Sequence, residues 1–411
     1  MKKTIAIIGG GPSGSALATF LVQAGHRVTL FDDGKRPNLI VGESLIPALV
    51  PILRKLGVEE NVAAIGMVKP GVSFLLNHGE SINFCFDPVK KCGLPTYAYN
   101  VPRAEFDRIL ADHAVEAGAI RIPQRVKLEI TKPDHLTLDA ATIAAAPSLE
   151  GKQPDLLVDA TGRSRLFARS LDIPSRVGPR KDVAYFAHYE NCEQEGPLGQ
   201  VLIGRMKAGW SWRIPLPGRL SIGIVLNRED ATQLGESAEE RLANTLRTDP
   251  HLSAVTKNAI RTTEVATYSN YQLVSERTHG PGWVMAGDAF GFVDPMLSPG
   301  MYLALRSAEL LAENLNDLPK YSAQIHQLLE AWIDLISYYY DGRMFAMYHT
   351  GQDIIRKYDS PITRLFNRHL ESNIACMASG GTTASRYGRS LIQFMARHGI
   401  WQIDPATLAI H

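Results

Sequence analysis

Thr4-Ile5-Ala6-Ile7-Ile8-Gly9-Gly10-Gly11-Pro12-Ser13-Gly14 stands near the start of the chain and decides its fold. Residues 4–8 are a continuous β-rich run, the pattern of a strand buried on both faces. Gly9, Gly11 and Gly14 follow in G-x-G-x-x-G spacing. The first permits a tight turn, the second lets backbone approach a pyrophosphate, and the third lets a helix pack on the strand. Residues 16–24 favour helix, and Gly25 is a natural stop. Arg27-Val28-Thr29-Leu30-Phe31 is a second strand, closing on Asp32 and Asp33. Strand, glycines, helix, strand and acid in this order set unpaired helix N–H groups against phosphates and a carboxylate against ribose hydroxyls. The segment therefore predicts dinucleotide binding by Gly9, Gly11, Pro12, Ser13, Gly14 and Asp32.

The composition fits that reading. The chain has 411 residues, 45% of them hydrophobic and 21% charged, with a net charge of +1. That is ordinary for a globular enzyme and gives no electrostatic reason for a nucleic-acid partner. No apolar run is long enough to span a bilayer. The first eight residues read as a buried strand and not as a signal peptide, because the apolar run is short and no small-residue cleavage site follows. A cytoplasmic location is expected. Cys85, Cys92, Cys192 and Cys376 have no metal-ligand spacing. They are expected to be plain buried thiols, although the Cys85–Cys92 spacing could hold a redox disulfide.

Three later segments name the nucleotide. Asp155-Leu156-Leu157-Val158-Asp159-Ala160-Thr161-Gly162 resembles the "ATG" segment of FAD-dependent monooxygenases. Arg103-Ala104-Glu105-Phe106-Asp107-Arg108-Ile109-Leu110 resembles their "R-x-x-F-D-x-x-L" helix, and Met285-Ala286-Gly287-Asp288 their "GD" motif. The resemblance implies FAD as cofactor, with Thr161, Gly162, Arg103 and Asp288 among its contacts. No second G-x-G-x-x-G occurs, so no separate NAD(P)H domain is expected. Electrons would come from a transient nicotinamide or a separate flavin reductase.

The predicted fold class is α/β: a doubly wound, Rossmann-like FAD-binding domain, an antiparallel-sheet substrate domain and a helical C-terminal tail. The FAD-binding domain is discontinuous, over residues 1–70, 100–180 and 260–315. The substrate domain covers 71–99 and 181–259. Within it, residues 71–86 read as a strand pair turning at His78-Gly79. Runs 184–189, 200–206, 209–215 and 219–227 read as an antiparallel meander split by Lys207-Ala208-Gly209 and Pro217-Gly218. A short helix is expected over 236–246. Apolar spacing of three and four predicts helices over 301–315 and 323–340, with Tyr338-Tyr339-Tyr340 as core packing. Residues 316–411 form the helical region.

A narrower resemblance rests on two uncommon signatures. Gly209-Trp210-Ser211-Trp212-Arg213-Ile214-Pro215 is similar to the "W-x-W-x-I-P" of flavin-dependent halogenases, and Phe292-Val293-Asp294-Pro295-Met296-Leu297-Ser298-Pro299-Gly300 to their "F-x-x-P-x-x-S-x-G". Gly42-Glu43-Ser44 resembles their "G-E-S" loop near the flavin. Lys69, five residues ahead of Phe74, aligns with the family's catalytic lysine. The resemblance implies catalytic roles for Lys69 and Ser298. It implies flavin contacts for Glu43, Ser44, Pro295, Gly300 and Met301. It also implies a substrate pocket formed by Trp210, Trp212, Leu297 and Pro299, with no metal.

Two positions depart from the halogenase pattern. That family holds a halide on backbone N–H groups around the S-x-G turn, and here x is Pro299, which has none. Tryptophan halogenases carry a glutamate directly before the serine, and here it is Leu297. Relatives that hydroxylate a protein-bound tryptophan during tryptophylquinone maturation keep the overall pattern without halide chemistry. The expected function is thus FAD-dependent hydroxylation of an electron-rich aromatic, a small molecule or a protein side chain such as tryptophan, through a flavin hydroperoxide. FAD-dependent halogenation is the alternative, and a flavin-binding protein without oxygenation is a third reading. No residue stands out as general base.

Overall fold

The computed structural model describes residues 2–76, 80–193, 196–269, 272–398 and 403–410. The turn expected at His78-Gly79 lies outside them. The strand Thr4–Ile8 sits at the centre of a six-stranded sheet, parallel to Arg27–Phe31 on one side and to Leu156–Asp159 on the other. Ile120–Ile122 and Trp283–Met285 extend the parallel run outward. Ile5, Ala6 and Ile7 are fully buried, each of the two isoleucines being worth about 1.5–3 kcal/mol of transfer free energy. The helix Pro12–Gln23 starts four residues before the expected position, because Pro12 takes the first turn, where a missing N–H costs nothing.

The second sheet has eight strands. Asp182–Glu190, Arg219–Asn227, Gly209–Leu216 and Val201–Met206 pair antiparallel in that order; the last three form the expected meander, but Asp182–Glu190 joins it beside Arg219–Asn227 and not beside Val201–Met206. The pair Gly71–Leu75 and Ser81–Cys85 continues it, joined through a parallel contact between Val201–Met206 and Gly71–Leu75. The period of two decides what each face meets. Val183, Tyr185, Ala187, Ile222, Ile224 and Leu226 face a separate core under the helices Ala238–Thr248 and Pro250–Val255. Ala184, Phe186, Trp210, Trp212 and Val225 face the main core.

Some boundaries move. Ile260–Arg261 and Ala266–Ser269 pair with Asp182–Glu190. Residues 260–269 thus belong to the second sheet and not to the nucleotide-binding layer. Ala238–Thr248 starts two residues later than expected, because Ser237 and Glu240 form a reciprocal capping box. Leu318–Tyr340 begins five residues earlier, capped by Asp317 with Pro319 in its first turn. The remaining helices, Arg343–Lys357, Pro361–Ala378 and Arg386–His398, complete the helical region. The cysteines are free, as expected, but Cys85 is exposed on its strand, and Cys92 and Cys192 are only half-buried. Cys92 lies beside Cys376 and not Cys85. Among the described residues, no helix is long and apolar enough to cross a membrane.

Candidate active site

A cleft of ≈ 720 Å³ runs from the glycine turn to the edge of the second sheet. The turn itself behaves as its spacing requires. Gly9 has φ +110°, and a Cβ there would lie 2.4 Å from the Ala160 carbonyl oxygen. A Cβ on Gly14 would lie 1.9 Å from the Gly9 oxygen, so Gly14 packs under the turn and does not line the cleft. A Cβ on Gly11 would meet nothing within 4 Å, because it would project into the cleft. Gly10, which the spacing leaves free, is also constrained: its Cβ would collide with the Asp32 carboxylate at 2.5 Å. The Ser13 hydroxyl is buried with no protein hydrogen-bond partner. An open glycine, an unsatisfied hydroxyl and helix N–H groups at one end of a long cleft fit a dinucleotide pyrophosphate.

Asp32 is at the expected place but is already engaged. Arg36 donates to both carboxylate oxygens at 2.9 and 3.0 Å, Arg121 donates at 2.6 Å and the Gly34 N–H at 3.2 Å. Burial alone would raise its pKa. The Arg36 hydrogen bonds and the two guanidinium charges outweigh that and hold it below the ordinary carboxylate value. A ribose hydroxyl would have to displace one of these donors to reach Asp32.

Pro12, Ser44, Thr161, Gly162, Arg103, Asp288, Pro295, Gly300 and Met301 line the same cleft. Arg103 is held by Asp107 at 3.0 Å and donates to the Val41 carbonyl. Burial pushes Asp288 up to about 6, against the pull of Arg103 and Arg163. Asp159, which the sequence reading passed over, shapes the Thr161 turn. Its carboxylate accepts the Thr161 N–H and hydroxyl and the Phe167 N–H. An acid closing an apolar strand just before Ala160-Thr161-Gly162 was the available signal. Glu43 lines the cleft too, but its Oε1 shares a 2.6 Å hydrogen bond with His188 Nε2 from the second sheet. His188 carries no motif, and nothing in the sequence pointed to it.

Beside the cleft lies a smaller apolar cavity of ≈ 50 Å³. Lys69, Leu297 and Ser298 line it with Phe74, Phe84 and Phe86, and Ser298 faces both spaces. Met344, Ile374, Ala375 and Ala378 close it, which gives the C-terminal helices a role that the sequence did not show. Trp210 and Trp212, expected at the substrate, instead wall the larger cleft, where Trp212 packs on Phe186. Alternation puts both indoles on the cleft face of one strand. Pro299, also expected in the substrate pocket, is buried at the N-cap of the helix Gly300–Glu313 and touches neither space.

Lys69 is almost wholly buried. Its Nζ donates to Ser44 Oγ at 2.8 Å and to the Leu45 carbonyl at 3.0 Å, with the Phe86 ring 5.4 Å away. No carboxylate compensates, so burial lowers its pKa to about 7. Next to it the loop bends sharply. Leu297 and Ser298 both take left-handed backbone, with φ 65° and 58°. The Ser298 N–H donates to the Pro295 carbonyl at 3.0 Å. Pro299 has no N–H, so Gly300 is the one member of the S-x-G turn whose N–H is free of a backbone acceptor.

The model of the tryptophan halogenase family matches residues 4–93 and 87–344. The chain belongs to that family. It is a family of FAD-dependent, oxidoreductase-type enzymes, and the cleft described above suits that cofactor. The tryptophan 2-halogenase of Chondromyces crocatus is 31% identical over 76% of this chain. The chain spans 61% of that protein's length. A 1H-pyrrole-2-carbonyl peptidyl-carrier-protein chlorinase of Pseudomonas fluorescens is 26% identical over 82% of this chain and 83% of its own. The solved structure of a flavin-dependent brominase, Bmp2, covers 97% of this chain and 100% of its own, with a TM-score of 0.75 and 23% identity, which bears on the fold alone. These family members are halogenases. Kinship therefore favours halogenation, the alternative in the sequence reading, over hydroxylation.

Proposed function

We propose that this chain hydroxylates an electron-rich aromatic ring using FAD and dioxygen, with the ring held beside Lys69 in a cavity that must widen from ≈ 50 Å³ to admit it. The observation that carries this reading is the S-x-G turn: the Ser298 N–H is spent on Pro295, Pro299 has none, and Gly300 alone remains. Losing a charge-assisted bond to a buried anion costs about 1.5–3 kcal/mol, so a halide is held weakly there.

The glycine turn and the N-terminus of Pro12–Gln23 hold the pyrophosphate, Asp32 the ribose, and Arg103 and Asp288 the flavin half. FAD, when bound and reduced, would supply the electrons that activate dioxygen. The protein supplies position, hydrogen bonds and dryness. Lys69, protonated below a pH of about 7, presents an ammonium donor at the wall of the cavity. The apolar lining keeps water out. No carboxylate or arginine is among the described residues of that lining. The ammonium of an amino-acid head group finds no carboxylate there, which supports a neutral ring or a ring carried on a larger molecule. A separate flavin reductase is the electron source in this reading.

Halogenation is the second reading. Kinship supports it, and the N-terminus of Gly300–Glu313 still offers a dipole and free N–H groups to an anion. One experiment separates the two. The protein is given FAD, a flavin reductase, labelled dioxygen and bromide, with a panel of indoles, phenols and pyrroles, and products are weighed by mass spectrometry. The proposal expects labelled oxygen in the product and indifference to bromide. A brominated product would overturn it in favour of the second reading.

A further inference from the structure

Tyr340 ends the helix Leu318–Tyr340 and is buried. The sequence gives it no role beyond packing. Its hydroxyl does two things at once. It accepts a hydrogen bond from Trp210 Nε1 at 3.1 Å and donates one to Asp294 Oδ1 at 3.0 Å. Trp210 belongs to the wall of the large cleft. Asp294 heads the loop that carries Leu297 and Ser298, and the same Oδ1 accepts the Met296 N–H at 2.8 Å. Three residues after Asp294 the chain enters its left-handed pair, a conformation that a leucine and a serine keep only when their surroundings hold it.

Tyr340 is itself held from other directions. The Arg180 guanidinium lies 3.9 Å from its ring centroid and is fixed by Asp182 at 2.5 Å. The Ile410 N–H donates to the Tyr340 carbonyl at 2.8 Å, and Arg180 Nη1 donates to the Ile410 carbonyl at 3.1 Å. The phenol is thus a fixed post between an indole on one side of the cleft and a carboxylate at the root of the strained loop.

We infer that Tyr340 is a positioning residue that keeps the left-handed Leu297–Ser298 turn in register with the Trp210 wall. It acts through Asp294 and Trp210 and touches neither the cleft nor the cavity itself. The inference needs the cleft to take a flavin. It stands whether oxygen or halogen is transferred, so failure of the hydroxylation reading and failure of this one are separately visible.

The test is Tyr340→Phe in the full chain, read first by hydrogen–deuterium exchange without cofactor. Loss of one bond to a charged acceptor is expected to speed exchange about tenfold in peptides covering residues 293–301. Peptides covering residues 4–31 should keep their rates. With FAD bound, the variant is expected to hold the cofactor within about twofold of the parent, since its removed group lies outside the cleft. The visible flavin band should shift, and more of the reduced flavin's electrons should leave as hydrogen peroxide. Unchanged exchange at 293–301, or equal loosening at 4–31, would overturn the inference and leave Tyr340 as core packing. If Tyr340→Phe does not fold, Trp210→Phe removes the other bond of the same hydroxyl. Faster exchange confined to 293–301 then supports the inference, and unchanged exchange there overturns it.

Discussion

In the proposed reading Lys69 is the residue on which the chemistry turns, and its protonation gives a direct test of its role. Burial lowers its pKa from 10.5 to about 7. If the ammonium is the working donor, turnover falls as pH rises through about 7. If a free amine relays halogen, turnover rises across the same interval. The account expects the fall, measured as kcat against pH with saturating reduced flavin, and expects Lys69→Met to lose most activity. The same burial has a stability cost. Between about 7 and 10.5 the unfolded chain binds a proton that the folded chain does not, so this group's destabilisation is greatest below about 7 and fades toward 10.5. Lys69→Met should therefore raise stability at neutral pH by about 1–3 kcal/mol, read as a higher Tm. An unchanged or lower Tm would contradict it.

Pro299 is the second residue with a sharp consequence. Its backbone, φ −77° and ψ −19°, is helical and open to any residue. Pro299→Ser should therefore fold as the parent does and restore a donor. Halide affinity is expected to rise about ten- to a hundred-fold, the equivalent of one charge-assisted bond, as followed by bromide titration of the flavin spectrum. No change in affinity would remove the proline from the argument.

At the scale of elements, the nucleotide turn separates binding from folding within six residues. Gly11→Ala adds a methyl into open cleft on a backbone that alanine accepts. It should leave Tm unchanged and weaken FAD by about tenfold or more, as a methyl obstructs the close approach of the phosphates. Gly14→Ala drives a Cβ to 1.9 Å from the Gly9 carbonyl oxygen, and should lower stability by about 1–3 kcal/mol or more. Equal effects of the two on FAD at unchanged Tm would refute the distinction. This element was fully legible, because each glycine answers a local steric demand that spacing records. The strands of the second sheet were legible for the same reason, through alternation. What alternation does not record is which space a face borders. Trp210 and Trp212 lie on the expected strand, and the space their face borders is the larger cleft. Helix starts at Ala238 and Leu318 shifted because caps at Ser237 and Asp317 outweigh apolar spacing.

Over the whole molecule, the cavity beside Lys69 is assembled from parts far apart in sequence. Lys69 comes from the strand Met67–Lys69, Leu297 and Ser298 from the turn, and Met344 and Ile374 from two C-terminal helices. No local pattern announces such a convergence, which is why the helical region carried no motif and why Glu43–His188 went unseen. In the proposed reading the C-terminal helices are the substrate-facing wall. Ile374→Ala should cost about 2–5 kcal/mol of stability through the space it opens. It should also admit bulkier rings, seen as a changed order of kcat/KM across a graded aromatic series. An unchanged order would place the substrate elsewhere.

In the proposed reading, the S-x-G turn of this halogenase-family chain offers too few donors to seat a halide firmly. Crystals of the FAD-loaded protein soaked in bromide and measured at the bromine absorption edge test it most directly. The account predicts no ordered anomalous peak at the Gly300 N–H beside Ser298. A well-occupied bromide there, in contact with that N–H, would contradict it.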